Sequence, residues 1–262
     1  MDPILVSTAT AFLTTLATKG ADGPGKTLDL IWKNSLFKLD HFLENNLIKL
    51  ENVQKLGDEV ADNISKIPED DVIEPINYSL INTIDNALLT VDQEEIRNMF
   101  SHLIAAHFDY NKQSDLHPSF IDIIKQLSPN DAMLLKKINR EEVIPIAFYI
   151  CYIDKEEFSY IQLTDPFFYP LFGDYRQSVN ALQNLNRLNL IELDFLDVLT
   201  DDRLYSIFEN NEIKLDIVSE TKSFNEFLNL KGFKEPLAEE IIIKKGKARI
   251  TNFGHSFYNV CD

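Results

Sequence analysis

The chain has 262 residues, 45% of them hydrophobic, with 18 Phe and 9 Tyr, enough apolar surface to exclude disorder by composition. Its net charge of −17 repels phosphate backbones and anionic lipid headgroups, so generic nucleic-acid and membrane-surface binding are disfavoured. Cys151 and Cys261, the two cysteines, form neither a disulfide framework nor a metal spacing and read as small core residues.

A first helix is expected over residues 3–19. Its apolar part, Ile4 to Ala17, is shorter than the ~20 residues a bilayer span needs and has Asp2 where a targeting signal carries cations. It therefore reads as a core helix of a cytoplasmic protein. The glycine-rich loop Gly20–Gly25 ends it. A second helix is expected from Thr27, with Leu30, Ile31, Leu36, Leu39, Phe42 and Leu43 at helical spacing, running past Leu56. Residues 67–76 carry two prolines and a run of carboxylates and read as a connector.

Two strong helical patterns follow, one through Ile76, Leu80, Ile84, Ala87 and Leu88, the other through Ile96, Met99, Phe100, Leu103 and His107. Thr90 with Gln93 resembles a capping box at the start of the second. Pro118 is expected to open a shorter helix through Leu127. Ser128-Pro129-Asn130-Asp131 is a clear start signal: an N-cap, a proline at the first helical position and an acid at the third.

Beyond Arg140 the texture changes. Val143 to Ile153 is β-branched and aromatic, hence a buried strand or two. Residues 175–189 return to helix, with Val179, Leu182, Leu185 and Leu188 on one face and Asn189 suited to a left-handed C-terminal position. A short strand should follow. Residues 240–251 read as a β-hairpin turning near Gly246, and Thr251 as the cap of a last helix through Phe253, Phe257 and Val260. The expected fold class is mainly α (α+β): an acidic N-terminal helical bundle over residues 1–127, then a winged-helix-like module over residues 128–262 with an aromatic-rich insertion at 143–174.

Several patterns mimic chemistry. Gly20, Gly25, Lys26 and Thr27 satisfy the phosphate-loop spacing, and an apolar run ends at Asp154 as a Walker B strand would. A phosphate loop, however, must follow a buried strand so that its N–H groups converge on the anion. Here a helical pattern precedes it, and Pro24 removes a donor. The paired carboxylates (Glu69 to Asp71, Glu94-Glu95, Glu156-Glu157, Asp201-Asp202) lie in polar stretches and read as solvated faces. His41, His102, His107, His117 and His255 have no i, i+4 partner or zinc spacing; His107 continues an apolar stripe and reads as a core residue. His107, Asp109, Asp115 and His117 could meet only through the fold. No catalytic, metal or cofactor set is assigned.

The cations Lys244, Lys245, Lys247 and Arg249 lie on the expected wing. The helix before them shows Arg176, Gln177, Asn180, Gln183, Asn184 and Arg187 away from its apolar face, and such side chains read base edges. Against DNA binding, residues 1–127 hold 10 Lys and Arg against 20 acids, and the remainder 15 against 22, so neither half is basic. The aromatic segment with Phe167, Phe168, Tyr169 and Phe172 has two readings, core filling or a partner surface.

Four stretches together, Ile96–Asp109, Leu116–Ile138, Ala181–Leu193 and Ala248–Cys261, resemble the Abi-alpha family of bacterial abortive-infection proteins. The His-Pro-Ser-Phe step at 117–120 and the Ser-Pro-Asn-Asp helix start at 128–131 are its most specific pieces. The resemblance implies antiphage defence, in which an infected cell stops growing or dies before the phage matures, and brings no catalytic residues with it. The resulting expectation is a non-enzymatic protein that binds a phage or host protein as a homo-oligomer. DNA binding through residues 175–189 and 244–249, and nucleotide binding through residues 20–27, are its rivals.

Overall fold

The computed structural model describes residues 28, 30–36, 47–75, 77–154, 159–169, 174–209, 212–230 and 241–262. The expected first helix and the Gly20–Thr27 loop lie outside them. Two compact units emerge, one of Met1–Ala132 with Phe253–Asp262, the other of Met133–Asn252.

The first unit is helical. Residues 30–36 are helical with Trp32 fully buried, followed by α1 (Leu47–Ser65), α2 (Asn77–Leu89), α3 (Glu94–Ala106) and α4 (Phe120–Ile124). Leu50, Val53, Leu56, Val60 and Ile64 bury one stripe of α1, and α3 packs against α1, α2 and α4. Arg97 on α3 is itself buried. Its guanidinium donates to Glu59 of α1 at 3.0 and 3.2 Å and to the Val91 carbonyl at 3.1 Å, so a charge that burial would penalise is held by two acceptors. The expected capping box fails: Thr90 donates its hydroxyl back to the Asn86 and Ala87 carbonyls, and α3 begins only at Glu94 without a side-chain cap.

The Ser128 signal holds. Helix α5 (Pro129–Glu141) starts with Ser128 N–H donating to Asp131 at 2.6 Å and Asp131 N–H donating to Ser128 Oγ at 3.2 Å, a reciprocal cap. It ends on Glu142 at φ 65°, a left-handed position that lets β1 (Val143–Asp154) leave directly.

The second unit is built on an antiparallel sheet of order β2-β1-β4-β3, with β2 at Ser159–Gln162, β3 at Ile191–Asp194 and β4 at Ile241–Ile250. Residues 146–151 are buried without a break, as a strand covered on both faces requires. Ala147 exchanges both backbone bonds with Phe167, and Tyr149 accepts from Leu163 N–H at 2.8 Å, so odd positions of β1 face the β2 side. Pro145, also odd, sits beyond the end of β2 pairing, where its missing N–H breaks no rung.

Helix α6 (Tyr175–Arg187) is capped by Asp174, which accepts from Arg176 N–H. It closes in a Schellman motif: Leu190 N–H reaches the Leu185 carbonyl, Asn189 N–H the Asn186 carbonyl, and Asn189 lies at φ 59°. Helices α7 (Ser206–Glu209) and α8 (Glu212–Leu230) follow, and sequence periodicity identified neither. One face of the sheet buries Ala147, Tyr149 and Ile241 with Phe167, Val179, Tyr205, Phe208 and Ile217. The last helix, α9 (Asn252–Cys261), places Phe257 edge-on to Phe120, 5.2 Å between centroids, in the first unit.

The expected hairpin at 240–251 is overturned. Residues 241–250 are one uninterrupted strand between β1 and β3. Gly246 does not turn the chain; it makes room, since a Cβ there would stand 2.3 Å from the Phe195 ring and 2.8 Å from the Asp194 carbonyl oxygen. Thr251 donates its hydroxyl to the Asn189 carbonyl at 2.7 Å.

Candidate functional site

Because β4 is a central strand, its four cations project from the sheet and not from a protruding wing. Lys245 pairs with Asp202 at 2.8 Å, Lys247 pairs with Asp197, and Arg249 pairs with Glu192 on β3. Lys244 stands 5.5 Å above the Tyr160 ring. The Asp202 hydrogen bond holds the Lys245 ammonium above the usual lysine range. Asp194 accepts from Leu196 and Asp197 N–H, which holds its carboxyl below the usual carboxylate range. Acids of the 192–202 stretch thus meet the strand's positive charge at contact distance.

Helix α6 keeps its polar face outward. Arg176, Gln177, Asn180, Gln183 and Arg187 are exposed, while Val179, Leu182 and Leu185 are buried. Arg187 donates to Asn184 on its own helix at 2.7 Å, and Arg176 lies 5.9 Å over the Tyr175 ring.

The aromatic segment fills the core at two of its four named positions. Phe167 is fully buried and Phe168 nearly so, and Phe168 N–H donates to Ser178 Oγ of α6 at 2.8 Å. Tyr169 is half-buried against the same cluster; Phe172 lies outside the described residues. Buried tyrosines in this unit are satisfied: Tyr149 donates to the Phe208 carbonyl at 2.6 Å and Tyr205 to the Gly246 carbonyl at 2.8 Å.

Beside this core lies a cleft of about 610 Å³ lined by Ile161, Leu163, Ile217, Ser219, Glu220, Thr221 and Ser223. It runs between the edge strand β2 and helix α8. Tyr160, Ile161 and Leu215 are exposed large side chains on these two elements. Sequence reasoning missed the cleft because it missed α8; the available signal was Ile213, Ile217 and Thr221 at steps of four.

In the first unit, His107 and Thr83 meet at 3.2 Å, and burial lowers the imidazole to about 4, as expected of a core histidine. Of the four residues considered as a converging set, His107 and His117 line one cleft, where His117 bonds Ser119 at 2.7 Å; Asp109 instead caps the turn at Asn111, and Asp115 accepts from Asn259 at 2.6 Å. No cluster of three or more His, Cys, Asp or Glu fit for a metal ion occurs among the described residues, and no helix among them is long and apolar enough to cross a membrane. Cys151 and Cys261 are both buried, and burial pushes the Cys261 thiol well up.

Fold and geometry define a mixed α+β protein of two units, one helical and one built on a four-stranded antiparallel sheet. Within that class the chain belongs to the abortive infection alpha family, whose model matches residues 48–261. No curated protein and no solved structure matches it.

Proposed function

We propose that the protein is a non-enzymatic component of phage defence that acts in the cytoplasm of infected cells by binding a protein of phage or host origin, and does so as a homo-oligomer. Family membership over residues 48–261 supports the defence role. The observation that carries the binding mode is the apolar cleft between β2 and α8 with Ile161 at its lip. An edge strand and a hydrophobic groove are together a recognition surface for an extended or helical segment of another protein. The test is expression in a bacterial host challenged with a panel of phages: plating should fall for at least one phage, and unchanged plating across the panel removes the reading.

A second reading is DNA binding. The order β1-β4-β3, with α5 before β1 and α6 before β3, supports a winged-helix-like module, and the exposed amides and arginines of α6 would be its reading face. Residues 195–209 and 212–230 then stand between β3 and β4, where a short wing would be, and the carboxylate partners of Lys245, Lys247 and Arg249 weigh against backbone contact. Absence of gel retardation at low salt ends this reading.

A further inference from the structure

The helical unit contains a second cleft, of about 210 Å³, lined by Ser79, Thr83, Leu103, His107, Gln113, Leu116, His117, Pro118 and Ile121. Its lining includes a hydrogen-bonded pair, Thr83 and His107. Thr83 donates its hydroxyl proton to the Ser79 carbonyl at 2.9 Å. With that proton turned to the Ser79 carbonyl, the Thr83 oxygen accepts at its 3.2 Å contact with His107 Nε2, which corresponds to the Nε2–H tautomer. Nδ1 is left with its lone pair. The structure records no described residue bonding to Nδ1, and His107 lines the cleft. His107 is 94% removed from solvent, at 6% exposure, and Gln113 donates to the Ala106 and Asp109 carbonyls at 3.0 Å each, fixing the chain around it. Burial keeps the ring neutral at working pH. Leu103, Leu116, Pro118 and Ile121 supply the apolar part of the walls, and Ser79, Gln113 and His117 also line them.

We propose that this cleft binds a small, uncharged molecule with one hydrogen-bond donor on an apolar body, a phenol or an aromatic N–H heterocycle, the donor resting on His107 Nδ1. The apolar walls with a convergent polar group are the usual composition of a small-molecule site. The volume is sufficient: an apolar cavity of roughly 150 Å³ accepts benzene. A cation would meet no carboxylate among the lining residues.

The test uses phenol as probe and anisole, which has the ring and oxygen but no donor, as control, titrated into the full-length protein with ¹⁵N-histidine labelling. Phenol should bind saturably and move the His107 ring resonances, with anisole about five- to tenfold weaker, the effect of one neutral hydrogen bond. His107→Phe should weaken phenol by a similar factor and leave anisole unchanged. Equal affinities for phenol and anisole on the wild type, or no saturable response at His107, overturn the proposal whether or not the variant folds.

Discussion

Lowering the pH from 7 to 5 should destabilise the helical unit by about 2 kcal/mol through His107 alone. The imidazole lies at about 4 in the native protein against 6.5 when unperturbed, because burial disfavours its charged form. Below 6.5 the unfolded chain binds a proton at this position that the native chain refuses until about 4. Unfolding is therefore favoured increasingly as the pH falls through that window, and the stability is fully present only above it. At about 1.4 kcal/mol per pH unit, the full loss is about 3 kcal/mol, of which about 2 has appeared at pH 5. Trp32 is the single tryptophan and is buried in the same unit, so its fluorescence reports unfolding there. Urea titrations of wild type and His107→Gln at both pH values isolate the effect, since the other four histidines remain in each protein. The wild type should lose about 2 kcal/mol more than the variant. An equal loss in both refutes the assignment of a buried, neutral His107.

Three further substitutions probe the frame. Glu59→Ala should cost about 2–4 kcal/mol in chemical denaturation, because Arg97 would keep its burial and lose a bidentate partner; a cost below about 0.5 kcal/mol contradicts it. Gly246→Ala should cost about 2 kcal/mol or more by forcing its Cβ against Phe195, and Phe195→Ala in the same chain should recover part of that loss if the ring is the obstacle. Glu142→Gly should raise stability by up to about 1 kcal/mol, since Glu142 is exposed and held at φ 65°; a lower melting temperature would count against this.

Features whose causes are local were legible in the sequence. The reciprocal cap of Ser128 and Asp131, the left-handed Asn189 and the apolar stripes of α2, α3 and α6 depend on residues within a few positions of one another. The 240–251 stretch misled because a lone glycine between β-branched residues signals a turn or a close approach equally well; only Phe195, distant in sequence, decides between them. Thr90 misled for a related reason, since its hydroxyl had a competing acceptor in the helix behind it. Strand register sets Glu192 opposite Arg249, and the partners of Lys245 and Lys247, Asp202 and Asp197, come from the chain beyond β3; composition encodes neither. The Ile161–Ile217 cleft likewise needs the pairing of β2 at the sheet edge before it exists.

The central claim is that defence works through a protein bound at that cleft, and Ile161→Glu tests it most directly. Ile161 is 39% exposed, so the charge remains solvated and the fold should persist, as far-UV circular dichroism would confirm. On a phage that the wild type restricts, the folded variant should restore plating to the level of cells lacking the protein. Full protection by the folded variant would contradict the account.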